Sequence, residues 1–375
     1  SKACSSRPPG FAQARKTEAP HNMYYVVPHH GYRRTNMQKK VAWLSSLRGI
    51  GCLFVLAAHL GASSANFGMY FSGCGKIGVW LFMIFSGFWF WYPLCQKKQP
   101  LNGQNLMGYY VRKIIRIMMP YLVVLLISMG LGFIPDGKEL LRHLLLVDGY
   151  GHFWYMPVIM KFFLMAPLLW LLQQIIKDRK WLFAVIAAIG IVLSVAFPFT
   201  AYTENSIQLR WYVPVFLMGM LLAMIWDFWN SWKQNSLGAD AFVLVLVAIM
   251  ISLTPWFRQK MWGIAPSAYL QNKYLLMGGL WCLIILGIVR GKIWIEWLNK
   301  SRILQWIGEI SFLLYLIHYP ILMRLNATET GWVKKVIIVL VTSILLAAIL
   351  HSGVEKPCIA WSKKRIEHKQ TDSRI

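Results

Sequence analysis

The chain shows no cysteine pairing pattern, no leader-like apolar stretch near its start, and few acidic residues. Its six cysteines (Cys4, Cys52, Cys74, Cys95, Cys282 and Cys358) are scattered without a Cys-x-x-Cys spacing. That pattern indicates neither a metal site nor a disulfide framework. Residues 1–36 have no periodicity and no apolar run of the kind a signal peptide needs. They are expected to form a disordered or non-native extension ahead of Met37, with no chemistry of its own. Asp and Glu number 14 against 39 Lys and Arg, a formal net charge of +25. In a soluble domain such an excess would suggest a nucleic-acid partner. Here the charges stand at the ends of apolar blocks, so no nucleic acid is expected. Orientation in an anionic membrane accounts for them better.

What is abundant is apolar sequence. Of 375 residues, 57% are hydrophobic and 15% aromatic, and the mean hydropathy is +0.48. A soluble protein of this size has no need of so continuous an apolar supply, although a large soluble helical protein is the plain alternative. The blocks fall near 43–60, 77–95, 114–134, 154–175, 181–198, 209–226, 239–256, 270–289, 303–323 and 333–351. Blocks of roughly 16 to 22 residues joined by short basic segments predict an all-α polytopic membrane protein with about ten transmembrane helices. Basic residues concentrate on one set of alternate joints, including Lys97, Lys98, Lys177, Arg179, Lys180, Arg290, Lys292, Lys300 and Arg302. This bias predicts both termini on the cytoplasmic side of the cell (inner) membrane. The joint at 257–273 runs against it. The domain plan is therefore an extension at 1–36, a transmembrane domain at 37–352 and a basic cytoplasmic tail at 353–375.

The first block, Trp43 to Leu60, holds Arg48 and His59 among apolar neighbours. Polar side chains in a membrane helix cost several kcal/mol unless they have partners or a function, roughly 3 kcal/mol for an arginine on insertion scales. Eleven residues separate the two, about 16 Å along a helix, so they cannot touch within it. Arg48 can snorkel to the inner headgroups or serve a site. His59, nearer the outer half, can bond a neighbouring helix or act as a general base, for which imidazole is suited near neutral pH.

Other polar positions also ask for reasons. Ser86 and Gly87 sit mid-block, where small residues let helices approach. Arg112, Lys113 and Arg116 stand at an inner mouth, with Arg112 and Arg116 on one helical face. They read either as membrane anchoring or as a dock for a phosphate-rich donor, since a guanidinium fork suits phosphate oxygens. Lys161 lies on the order of 10 Å into its helix from Trp154, a site or a structural partner. Ser311, Tyr315 and His318 share one helix face, and His318 is expected at the depth of His59. His143 and Asp148 have the spacing of a soluble acyltransferase pair, but in an external joint where it carries little weight. Asn326-Ala327-Thr328 fits a weak glycosylation sequon.

Together these segments resemble the acyltransferase 3 family of membrane O-acyltransferases, over essentially all of residues 43–350. The arginine, ten residues and a histidine of the family's opening fall on Arg48 and His59. Its Gly-Val-x-Leu-Phe run ending in Ser-Gly-Phe falls on 78–88, and its basic segment before a proline on Arg112, Lys113 and Arg116. Its His-x-Trp falls on His152 and Trp154, and its late pattern on Ser311, Tyr315, Leu316, His318 and Pro320. The glutamate that many members carry soon after that tryptophan is missing from PVIMKFFLMAP. With a short tail after the last block, the chain is also expected to lack the hydrolase-like domain of some members.

The resemblance implies transfer of an acyl group, most directly acetyl, from cytoplasmic acetyl-CoA or another acyl-CoA. The acceptor is a hydroxyl of a cell-surface or exported glycan or glycolipid, as in polysaccharide modification. His59 is then the base. His318, Tyr315 or Lys161 steady the oxyanion or place the acceptor, Arg48, Arg112, Lys113 and Arg116 hold the donor, and no metal is required. A transporter or flippase of a lipid-linked or charged solute is the rival reading, and a sensor with a degenerate site is a third. Oligomeric state is left open.

Overall fold

The computed structural model describes residues 42–97, 103–176, 179–196, 207–232, 235–267, 269–362 and 364. The expected extension at 1–36 and most of the expected tail lie outside them. Among the described residues there is no β-strand, and the architecture is all-α. The chain runs through α1 (Ala42–Ala62), α2 (Gly75–Lys97), α3 (Gly103–Gly130), the short α4 (Gly137–Leu144), α5 (Tyr155–Leu164), α6 (Ala166–Ile176) and α7 (Lys180–Ala196). It continues through α8 (Val213–Ser231), α9 (Leu237–Ser252), α10 (Pro255–Trp262), α11 (Tyr274–Arg290), α12 (Ile293–Lys300), α13 (Arg302–Asn326) and α14 (Trp332–Leu350).

Among the described residues each of the ten apolar blocks contains helix, but they do not give ten spans. Six helices are long and apolar enough to cross a membrane, or up to nine if each bent pair is one span. That is consistent with a polytopic membrane protein. The bends are 43° between α5 and α6, 82° between α9 and α10, and 91° between α11 and α12. The two sharper bends coincide with helix caps. Thr254 caps α10, its side chain accepting from the Phe257 N–H, and Pro255 at the first turn cannot continue a helix from upstream. Asp240 caps α12, its carboxylate accepting from the N–H groups of Lys292, Ile293 and Trp294 at 2.9, 3.1 and 3.2 Å. The block at 181–198 appears as α7, with 17 residues. Past α14 the chain makes a π-turn over His351–Glu355 and stays helical to Ser362. The boundary expected at 352 therefore falls within a continuing helix.

α1 is central, with Trp43, Leu47, Val55 and Leu56 buried. Its closest neighbour is α13, and glycine makes the approach possible. A Cβ on Gly308 would overlap the Ser45 carbonyl oxygen, and one on Gly49 would overlap the Leu304 carbonyl oxygen. The two backbones touch with no side chain between them. Gly308→Leu is expected to lower stability by about 1–3 kcal/mol or more, the cost of overpacking. Thermal unfolding in detergent checks this against Gly353→Ala, where a Cβ would meet nothing within 4 Å. Gly87 makes a similar contact with the Phe216 carbonyl oxygen on α8, in line with the packing role expected of it.

Candidate active site

α1 and α13 run in the same direction, because Arg48 meets Ser311 and, further along both helices, His59 meets His318. From the Gly49–Gly308 contact, ten residues on each helix lead to those two histidines. Equal rises of about 15 Å then bring the imidazoles level. His59 Nδ1 and His318 Nε2 are 2.8 Å apart, and the rings are 13° from parallel with centroids 5.1 Å apart. The proton positions follow from the partners. His318 Nδ1 lies 3.0 Å from the Leu314 carbonyl oxygen, which can only accept, so Nδ1–H donates. In a neutral ring that leaves His318 Nε2 as an acceptor, and His59 Nδ1–H donates to it. His59 Nε2 is left with its lone pair. His318 is fully buried, whereas His59 is half-buried and lines a cavity of about 290 Å³.

The same wall contains His152, Tyr315 and Tyr319. Pro320 lies inside α13 and has no N–H, which leaves the Leu316 carbonyl without its helical donor. His152 Nε2–H donates to that oxygen at 2.7 Å. The Tyr315 hydroxyl in turn donates to the His152 carbonyl oxygen at 2.6 Å. The His-x-Trp turn is thus pinned to α13 at two points, and Tyr315 has committed its proton to that role. His152 Nδ1 is buried with no hydrogen-bond partner among the described residues.

The remaining predicted residues lie elsewhere. Arg48 Nη2 donates to Ser311 Oγ at 3.3 Å, and the Tyr155 hydroxyl lies 3.2 Å from Ser86 Oγ. Lys161 does not line the cavity, and its Nζ donates to the Ile207 carbonyl at 2.9 Å. Arg112, Lys113 and Arg116 share the first half of α3, and none of them lines the cavity. Lys113 Nζ stands 4.3 Å from the Phe163 ring centroid. Arg116 Nε is 3.8 Å from Glu355 Oε1, and the other oxygen of that buried carboxylate lies 2.8 Å from His351 Nδ1.

Sequence reasoning missed Glu355 and His351, which were assigned to a tail and a helix end. An acid in so basic a chain was the available signal. It also gave no role to Lys76, which is buried and lines the cavity. His143 and Asp148 do not form a catalytic pair. The Asp148 carboxylate accepts from Arg142 Nη2 at 2.9 Å and from the Gly149 N–H at 2.6 Å. His143 packs against Phe153, and burial pulls its imidazole below the ordinary value, outweighing nearby Glu139 and Asp148. Among the described residues, no group of three or more His, Cys, Asp or Glu side chains is placed to hold a metal ion.

A helical membrane-type fold with two facing histidines at a cavity is the class the geometry defines. Comparison with known proteins gives the family. Residues 41–352 match the Acyltransferase domain of the acyltransferase 3 family (Acyl_transf_3), and the chain belongs to that family. Acyltransferase MdmB of Streptomyces mycarofaciens is 24% identical over 378 residues, covering 86% of this chain and 92% of the relative. The putative peptidoglycan O-acetyltransferase YrhL of Bacillus subtilis (strain 168) is 22% identical, over 89% of this chain and 56% of the relative. The putative O-acetyltransferase SACOL0978 of Staphylococcus aureus (strain COL) is 19% identical, over 78% and 52%. The chain thus spans most of MdmB but little more than half of the other two. No solved structure matches. Family membership supports enzymatic acyl transfer in general.

Proposed function

We propose that the protein is a membrane O-acyltransferase that moves an acyl group, most directly acetyl, from cytoplasmic acyl-CoA to a hydroxyl of a surface or exported glycan or glycolipid. The observation that carries this reading is the hydrogen-bond chain from His59 through His318 to Leu314, which leaves Nε2 of His59 with a lone pair on a side chain that lines the cavity. His59 Nε2 takes the proton of the acceptor hydroxyl as its oxygen attacks the thioester carbonyl carbon. The tetrahedral intermediate collapses with cleavage of the C–S bond, and the proton on His59 passes to the departing thiolate. The products are an ester and free CoA. His318 keeps His59 in the required tautomer throughout, accepting from Nδ1–H in both the neutral and the charged ring.

In this scheme Arg112, Lys113 and Arg116 receive the donor phosphates at the cytoplasmic end, with both termini on that side and Glu355 holding Arg116 in place. Arg48, which bonds Ser311 between the two ends, steadies the thioester arm. Tyr315 holds the His152 turn, and Lys161 anchors the segment at Ile207. The acceptor reaches the cavity from the opposite side of the membrane. The test is turnover of radiolabelled acetyl-CoA by the protein in native-like membranes, with the host's glycan and glycolipid fraction as acceptor pool. Label in a carbohydrate product together with free CoA is expected. Absence of transfer from acetyl-, succinyl- and long-chain acyl-CoA alike would instead favour transport of a charged solute.

A further inference from the structure

Proton removal by His59 meets only one requirement of acyl transfer. When the acceptor oxygen adds to the thioester carbonyl carbon, the C=O electron pair moves onto the carbonyl oxygen. That charge needs a hydrogen-bond donor placed in advance. The three side chains expected to serve there are committed elsewhere. The Tyr315 hydroxyl donates to the His152 carbonyl oxygen at 2.6 Å. His318 gives Nδ1–H to Leu314 and keeps Nε2 for His59. Lys161 is bonded to the Ile207 carbonyl and does not line the cavity.

Tyr319 is placed differently. It follows His318 in α13, is half-buried and lines the cavity. Three other rings grip its own. It meets His59 edge to face, with centroids 5.0 Å apart at 67°. It is tilted on His152 at 4.9 Å and meets Phe133 at 5.8 Å and 80°. The turn before His152 also passes close by, since a Cβ on Gly151, whose φ is +60°, would stand 3.5 Å from Tyr319 Cε1. Yet the hydroxyl of this firmly held phenol makes no hydrogen bond among the described residues. A packed tyrosine usually gives its O–H to a protein partner, as Tyr315 does. Tyr319 has a donor left over, on a ring that touches the base.

We infer that Tyr319 is a catalytic residue whose O–H donates a hydrogen bond to the oxyanion of the tetrahedral intermediate. The acceptor oxygen must come within about 3 Å of His59 Nε2 to lose its proton. The carbonyl oxygen is then two bonds away from it, within reach of a phenol packed against the same imidazole. Tyr319 keeps its own proton throughout. On collapse the C=O bond re-forms, the C–S bond breaks, and the proton on His59 goes to the thiolate. His318, which orients the base, and Tyr319 are consecutive on a helix held against α1 by the Gly49–Gly308 contact. Base and donor therefore stay in register with no rearrangement during the reaction. The inference rests on the acyl-transfer reading of this cavity and supplies its missing oxyanion donor.

Tyr319→Phe is the test, because phenylalanine keeps every ring contact and removes only the hydroxyl. With radiolabelled acetyl-CoA, protein in native-like membranes and saturating acceptor pool, kcat is expected to fall by about 10²–10³-fold, the effect of losing one oxyanion donor. The KM for acetyl-CoA and the thermal unfolding temperature are expected to stay as they were, since the lost bond exists only in the transition state. A trifluoromethyl ketone analogue of acetyl-CoA, whose carbonyl carbon adds the acceptor hydroxyl but bears no sulfur to expel, gives a readout other than turnover. Its affinity is expected to fall by a similar factor in Tyr319→Phe. Unchanged kcat in the variant would overturn the inference and leave acyl transfer standing. So would a loss of kcat matched by a raised KM or a lower unfolding temperature, which would assign Tyr319 to ground-state binding or packing. Absence of transfer by the unaltered protein would remove the acyl-transfer reading and this inference with it.

Discussion

Replacing His59 with alanine is expected to lower acyl transfer by about 10²–10⁴-fold, the range for loss of a positioned general base. The expectation follows from bonding rather than from position alone. Of the four ring nitrogens in the pair, three are committed to hydrogen bonds, to Leu314 or to each other. The fourth, His59 Nε2, is the one left with a lone pair on a side chain that lines the cavity. Because His59 is only half-buried, its truncation is not expected to unfold the bundle. Unchanged thermal unfolding with turnover lost is the expected pair of results. Full turnover in a folded His59→Ala protein would remove His59 from the mechanism.

His318→Ala is the second large effect, on the order of 10²–10⁴-fold in kcat, by analogy with the loss of a tautomer-fixing partner in hydrolytic triads. His318 is fully buried and does not line the cavity, so it acts through His59 as a positioning residue. Without it, Nδ1–H of His59 loses its acceptor and the ring is free to present either nitrogen. The conservative variant separates this role from simple packing. In His318→Gln, the amide oxygen can accept from His59 and the amide N–H can donate to the Leu314 carbonyl. Partial recovery of kcat relative to alanine, with the KM for acetyl-CoA unchanged, is expected. Equal losses in both variants, accompanied by lower thermal stability, would assign His318 to packing alone.

Much of this was legible in the chain because the relevant signals are local. Apolar blocks long enough to span a bilayer locate the helical segments, and the depths of His59 and His318 follow from counting residues within two blocks of the same direction. The bends at Thr254–Pro255 and Gly291 were harder to read. Each depends on a cap, and the one at Gly291 is supplied by Asp240 from another helix, more than 50 residues away in sequence. The site divides in the same way. Tyr315 was visible as a face-mate of His318, but its partner is the backbone of His152, which no spacing within α13 reveals. Lys76 precedes its apolar block by a single residue, where nothing local signals burial. Its burial depends on the segment at Trp154 folding over it. Glu355 looked like part of a tail because the π-turn that keeps the helix going past Leu350 has no simple periodicity.

The glycine contact between α1 and α13 also has a mechanical consequence. Each histidine sits ten residues beyond the point where two backbones touch, so the pair is mounted on what amounts to a single axle. Parting these helices would cost both the backbone contact and the imidazole hydrogen bond. A pump that exposes a central site first to one side and then to the other must open a seam through its centre. In this protein the seam that runs past the histidines is the one most tightly closed. Motion that admits a donor or releases a product is therefore expected in the elements mounted around this axle, including the bent pairs α9–α10 and α11–α12. Histidines held still in this way suit a fixed station for chemistry better than a moving gate.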